Sequence, residues 1–466
     1  MRKFICLILV ALNGFQNING QVQDEMLSFK EYLALVQKYH PVVKQAQLVV
    51  DESQSKLLKS RGAFDPNIAV DLERKKFEGT EYYDRLNAAF KIPTWYGIEV
   101  KANFEEASGT YLNPEYTVPQ DGLYSAGISF SVAQGLLINE RMATLKQAKF
   151  FVKQAKADRE LLINEILYDA TISYFDWLKS YGNLLVYEQF LDNAALRFDG
   201  IKQSVEVGER AAIDSIEARI IVSSRRLSLE KAKVDLLKKQ LDVANFLWLD
   251  NNIPLEMQEN VIPELNSLTT IENTLNIVGF GDDMALENHP KMRSLNFKYE
   301  SLKVNKNLKA NKLLPKIDLQ YNFLSENYDN INAFNTANYK SSLTFKLPLF
   351  LRKERGDLKL AKLKLRDTKY DIATTELNLQ NKIRAVQAEL ISYESQIEML
   401  EVIVSDYGLL LNAEDRKFGI GESSIFLVNS RETKLIEAKI KLVELNNTIA
   451  NTKANYFKIL AGNPLL

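Results

Sequence analysis

The chain has 466 residues, a formal net charge of −1 and 26% charged residues. A balance this even gives no basic footprint for nucleic acid. Two histidines and one cysteine leave little for zinc or thiol chemistry.

Arg2 and Lys3 precede an apolar run from Phe4 to Leu12. Residues 1–20 read as a secretory signal peptide cleaved after Gly20, with an apolar run too short to span a bilayer. Cys6 lies inside that run and not behind a lipobox-like pattern, so no lipid anchor is expected on it, and the mature chain would have no cysteine. No later stretch of about 20 apolar residues follows, so a membrane role would have to use a β-barrel.

His40 and His289 each stand directly before a proline, 249 residues apart. Pro41 to Pro66 and Pro290 to Pro315 are both 25-residue intervals, each a helical run that closes on a strand-like run. The histidines therefore read as helix-start residues of an internal repeat, not as metal ligands. The repeat continues. "VGERAAIDSIEAR" from Val207 pairs with "IGESSIFLVNSR" from Ile420, and "ANFLWLDNNIPL" from Ala244 pairs with "ANYFKILAGNPL" from Ala454. The first copy carries 34 additional residues between Pro66 and Phe130.

That region alternates with period two. Ile68, Val70 and Leu72; Leu86, Ala88, Phe90 and Ile92; Ile98, Val100, Ala102 and Phe104; and Tyr124, Ala126, Ile128, Phe130 and Val132 predict four strands. Ile317, Leu319, Tyr321 and Phe323, then Leu343, Phe345 and Leu347, predict two more. The pattern suits a half-solvated soluble sheet or a barrel with one lipid face and one wet face. Tyr82, Tyr83, Trp95, Tyr96, Tyr111, Tyr116, Phe334 and Tyr339 near the strand ends favour interfacial girdles. "SGTYLNPEYTVPQDG" reads as an outer loop and "PTWYG" as a short turn on the opposite side.

Prolines are absent from 120 to 253 and from 349 to 463, which permits very long helices. The second stretch has a heptad: Leu365, Ile372, Leu379, Val386, Tyr393, Leu400 and Tyr407, with a second stripe at Ile383, Leu390, Ile397, Val404 and Leu411. A helix over 356–417 is expected, on the order of 90 Å long.

This layout resembles the TolC-type outer-membrane efflux channel family over essentially the whole mature chain. The most specific motif is the tip turn, Val207-Gly208-Glu209-Arg210-Ala211-Ala212-Ile213-Asp214 in the first copy and Phe418-Gly419-Ile420-Gly421-Glu422-Ser423-Ser424-Ile425 in the second. The resemblance implies a mostly α fold with β: a trimeric outer-membrane β-barrel continued by a long periplasmic α-helical coiled-coil barrel, built from two internal structural repeats. The first repeat would be 21–266 (helix, four strands, helical hairpin with its tip near 208). The second would be 267–466 (helix, two strands, hairpin with its tip near 421).

Implied partners are two further copies, outer-membrane lipid, a periplasmic adaptor (membrane fusion protein) and, through it, an inner-membrane pump; no nucleic acid and no cofactor are expected. Val207, Gly208, Ala212, Ile213, Ile420, Gly421, Ser424 and Ile425 would form the adaptor-docking tips. Two departures from the family stand out. Phe418 occupies the place of a tyrosine, and Leu427 and Ser430 replace an acidic pair that narrows the tunnel. A gate would then be built differently, with Glu209, Arg210, Asp214, Phe418 and Glu422 as candidates.

The function expected is a passive export duct in the cell outer membrane, with no catalytic or metal residues, serving a tripartite efflux or type I secretion system. The alternative is a secreted or periplasmic structural coiled-coil protein without a barrel. Substrate, pump class, and 12 against 18 barrel strands stay open.

Overall fold

The computed structural model describes residues 25–258, 260–277 and 286–465. The signal-peptide expectation and Cys6 lie outside them. In chain order, the elements are β1 (Glu25–Leu27), α1 (Phe29–Tyr39), α2 (Pro41–Arg61), β2 (Asn67–Phe77), β3 (Thr80–Pro93), β4 (Ile98–Ser108), β5 (Leu123–Ser131), α3 (Glu140–Glu206) and α4 (Ala212–Ala244). There follow β6 (Trp248–Leu249), β7 (Ile253–Pro254), β8 (Val261–Pro263), α5 (Ser267–Leu275), α6 (Pro290–Asn311), β9 (Lys316–Ser325), β10 (Tyr339–Lys346), α7 (Arg352–Gly419) and α8 (Ile425–Leu460).

The two histidines do one job twice. Each is an N-cap with φ −61°, and each Nδ1 accepts the backbone N–H two residues on, from Val42 at 3.2 Å and from Lys291 at 3.1 Å. The following proline, whose fixed φ suits the first helical turn, sits at N1. Burial lowers both imidazole pKa values, keeping the rings neutral and Nδ1 free to accept. Below the ordinary value of about 6.5, the unfolded chain binds protons at these rings that the folded chain resists. The stability they contribute is therefore present above that value and lost as pH falls. His40→Asn with His289→Asn keeps a side-chain acceptor at each cap. It is expected to flatten the acid side of thermal unfolding below about pH 6.5; an unchanged slope would assign that titration elsewhere.

All six predicted strands lie in one antiparallel sheet of order β10-β9-β5-β4-β3-β2. The additional residues of the first half place β3 and β4 in its interior, paired on both sides. One row runs Ile68, Phe90, Ala102, Ala126, Phe323, Tyr339, and the next runs Asn67, Lys91, Lys101, Gly127, Asn322, Lys340. The sheet is thus apolar on one face and polar on the other.

Exposure is inverted relative to a soluble sheet. Ile68 is 73% exposed, whereas Asn322 on the polar face is 3% exposed. The polar face is concave enough for Lys340 on β10 to come within 3.7 Å of Glu105 on β4, two strands beyond its neighbour. Gly127 is needed there, since a Cβ would fall 2.0 Å from the Tyr321 carbonyl oxygen.

Aromatic pairs gather at strand ends. Phe104 stacks near Tyr124 at 4.8 Å, and Tyr321 on Tyr339 at 5.4 Å, toward the outer end. Phe64 stacks on Trp95 at 5.6 Å beside the helices. Tyr116 departs from the girdle expected of it. Its ring lies 3.7 Å from the guanidinium of Arg85, whose position in the alternation is on the polar face. The loop after β4 folds over that face, where the ring meets a cation.

Below the sheet, α3 and α7 have 67 and 68 residues, on the order of 100 Å each. α3 packs on α2 and α6 near the sheet and on α4 and α8 farther away; α7 packs on α6 and then α8. The predicted seam of α7 is its inward face: Val386 and Leu411 are buried, and Leu411 joins Phe190, Val428 and Leu435 in one cluster. Around mid-height, α1 and α5 dock on α3, α4 and α8 through Phe29, Tyr32, Phe175, Trp177, Ile271 and Phe457. Tyr174 sits inside this girdle. Its hydroxyl donates to the Leu27 carbonyl at 2.9 Å and accepts the Glu264 N–H at 3.1 Å, and burial pushes its pKa up to about 12.

Candidate functional site

The far ends of the long helices turn by the same device. Gly208 and Gly421 have φ of +81° and +83°. Glu209 N–H donates to the Ser204 carbonyl and Gly208 N–H to Val205; Glu422 donates to Lys417 and Gly421 to Phe418. This pair of bonds around a left-handed residue satisfies the last carbonyls of a helix and reverses the chain. Nothing lies within 4 Å of where a Cβ would stand at either glycine. Backbone conformation, not crowding, therefore requires glycine here.

The predicted tip residues divide. Val207, Gly208, Ala212, Ile213, Ile420, Gly421 and Ser424 are exposed. Ser424 also caps α8, accepting from Leu427 N–H at 3.4 Å. Ile425 is buried with Ile201 and Ala218, holding the two hairpins together, while its neighbour Phe426 is 66% exposed.

Of the gate candidates, Arg210 and Phe418 meet. The guanidinium lies 4.1 Å from the ring centroid and donates to the Phe418 carbonyl at 3.3 Å. The first and second tips are thus linked by a cation on an aromatic face. Glu209, Asp214 and Glu422 form no side-chain hydrogen bond or ion pair among the described residues.

A network that the sequence reading missed lies on the sheet side of the tips. The side chain of Glu432 on α8 has no exposed surface. Arg197 on α3 donates to it from both Nη atoms, at 3.2 and 3.1 Å. Arg225 on α4 approaches its other oxygen at 3.5 Å and donates to Thr433 Oγ1 at 3.0 Å. Asp415 on α7 stands 3.5 Å from Arg197. Glu432 ties α8 to α3 and α4, and Asp415 joins α7 to the same cluster through Arg197. The signal was a glutamate in helical spacing with Val428, Leu435 and Ile436, an apolar stripe where a lone acid needs partners.

Where sheet meets helices, a cavity of about 560 Å³ opens on the polar face, lined by Glu99, Lys101, Arg141, Lys312 and Asp318. Arg141 reaches Glu99 at 2.8 Å, and Lys312 reaches Glu140 at 3.0 Å. Among the described residues no group of His, Cys, Asp or Glu is placed to hold a metal ion. No helix among them is long and apolar enough to cross a membrane.

The architecture has solved counterparts. The outer membrane channel CmeC of Campylobacter jejuni superposes with a TM-score of 0.64 at 14% identity, over 92% of this chain and 85% of that one. The MtrE outer membrane channel of Neisseria gonorrhoeae, in its open state, gives 0.65 at 12% identity over 93% and 88%. This is the fold of the TolC-type outer-membrane efflux channels. VceC, an outer membrane protein of Vibrio cholerae, gives 0.63 at 12% identity, with 93% and 95% covered. Residues 283–462 match the model of the outer membrane efflux protein family. No curated protein matches the sequence. The family match lies in the second half of the chain, whereas the efflux-channel fold extends through both halves.

Proposed function

We propose that three copies form a passive export duct in the outer membrane, the channel component of a tripartite efflux or type I secretion system. One observation carries this reading: a sheet whose apolar face is exposed and whose two outer edges have no strand partner among the described residues. In lipid an apolar face is stable but an open edge is not, so the sheet must close. β2 runs away from the helices and β10 returns to them, so the edges of adjacent copies can pair antiparallel. Six strands from each of three copies close an even barrel of 18.

The helices favour association as well. Ile213, Ile220, Leu227, Val234 and Leu241 of α4 form an exposed stripe seven residues apart, an apolar seam awaiting a partner helix. Sucrose-gradient fractionation with crosslinking is expected to place a trimer in the outer membrane. A soluble monomer would overturn the duct and favour a secreted coiled-coil protein.

Two structural repeats with boundaries at 21–266 and 267–466 belong to this reading, as do a periplasmic adaptor docked on the tips and an inner-membrane pump behind it. The tips present Val207, Ile213, Ile420 and Phe426 as exposed apolar side chains around the two glycines, a composition suited to a protein partner. Arg210 over Phe418 would hold the tips closed. Gly421→Trp places a bulky side chain in the left-handed region, at a cost of about 1–2 kcal/mol, and in the way of docking. Efflux is expected to cease while trimer and membrane level persist; efflux that survives this change and Gly208→Trp would place docking elsewhere.

A further inference from the structure

The helices next to the sheet carry a charge surplus that the neutral total conceals. Residues 41–61, 140–159, 290–311 and 352–371 hold 24 Lys and Arg against 9 Asp and Glu, a surplus of 15 in a chain of net −1. Much of it is sorted onto one side. On α7, Arg355, Lys359, Lys362, Arg366 and Lys369 recur at steps of four and three, which is one helical face. All five are exposed, and none forms an ion pair among the described residues. On α3, Lys149, Lys153 and Lys156 repeat the pattern, exposed and without an acidic partner among the described residues.

The direction of these stripes follows from what holds the opposite flanks. Glu140 of α3 meets Lys312 in the polar-face cavity. Asp357 and Asp371 of α7 reach Lys309 and Lys298 of α6 at 2.7 and 3.9 Å, beside Leu308 and Lys312 of that cavity. At about 100° per residue, both stripes lie roughly 160–180° around their helices from those contacts. They therefore face the side of the apolar sheet surface, away from the duct.

We infer that this flank docks the carboxylated glycopeptide mesh of the cell wall, anchoring the duct in it just below the membrane. The inference rests on the outer-membrane reading, which puts this flank in the periplasm. Depth selects the mesh over lipid. Phe350, under the Arg352 guanidinium at 5.2 Å, ends the apolar band. Lys369 lies 19 residues farther along the helix, about 28 Å. A headgroup layer is only roughly 5–8 Å deep and charges are screened beyond about 8 Å. Acidic lipid can neutralise Arg355 and Lys359, but it does not reach Lys362, Arg366 or Lys369. A polyanion extending into the aqueous layer reaches all five.

The test is co-sedimentation of the purified full-length trimer with insoluble cell-wall sacculi. The stripe variant carries Arg355→Gln, Lys359→Gln, Lys362→Gln, Arg366→Gln and Lys369→Gln. A control carries Lys353→Gln and Lys364→Gln on the other flank of α7. The parent and control are expected to pellet at low salt. The stripe variant should lose about tenfold in retention, as should the parent at about 0.5 M salt or on sacculi with amidated carboxylates. Equal pelleting of both variants overturns the inference, as does binding confined to acidic phospholipid vesicles. Bilayer conductance of the same preparation tests the duct separately. A trimer that conducts and ignores sacculi sinks only the anchor.

Discussion

Glu432→Ala is expected to destabilise the tip-proximal helices by about 3 kcal/mol, toward the low end of what removing one partner of a buried ion pair costs. The carboxylate is fully enclosed, while Arg197 and Arg225 keep 14% and 13% of their side chains exposed. Removing it leaves two guanidinium groups facing each other with only Asp415 nearby. Partial exposure of the arginines and the remaining acid temper the loss. Urea unfolding followed by helix signal measures it. Glu432→Gln, which keeps the shape and one acceptor, should lose less. The triple change Glu432→Leu, Arg197→Met, Arg225→Leu should recover most of the stability, since apolar replacement of a buried triad is often neutral or favourable. A Glu432→Ala protein within about 0.5 kcal/mol of the parent, the range of an ordinary surface change, would show that the network holds nothing. In the duct reading the same change would loosen four helices at once, so its single-channel conductance is expected to fluctuate more.

Val100→Arg is the second large effect expected, with membrane assembly impaired by up to about 2–4 kcal/mol, the cost of an arginine on a lipid face growing with its depth. Val100 lies on the apolar face, between Ile92 and Ile128 toward the helix side of β4, and is 43% exposed in one protomer. Lys101, one residue on, lies on the polar face against the cavity. Lys101→Gln should leave assembly intact. Heat-modifiable migration and trimer yield from membranes report both outcomes. Single cysteines at Phe90 and Val100 should resist a water-soluble thiol reagent while those at Asn87 and Lys101 react. Equal labelling at all four positions would remove β3 and β4 from the barrel wall.

Several features were legible in the sequence because they depend on local spacing. Period-two runs at 68–72, 86–92, 98–104, 124–131, 317–323 and 343–346 are strands. They are strands because alternation can satisfy a two-faced sheet whatever its neighbours. The heptad from Leu365 to Tyr407 is the packed face of α7, since a 3.5-residue repeat keeps one seam toward a partner. His40 and His289 cap helices because a ring nitrogen before proline can accept an N–H two residues away. Gly208 and Gly421 adopt left-handed backbone, as a reversal between two long helices demands.

What needed the tertiary structure was every relation across distant segments. Arg197, Arg225, Asp415 and Glu432 share no local pattern; only the packing of four helices brings them into one cluster. Ile425 reads as a tip residue beside Gly421, yet packing against Ile201 and Ala218 buries it. Tyr116 reads as a girdle aromatic by its place near strand ends, but the fold of its loop carries it over Arg85. Sequence periodicity tells which residues share a face of one element. It carries no information on which way that element is turned about its neighbours, because that rotation is set by side chains contributed from elsewhere in the chain.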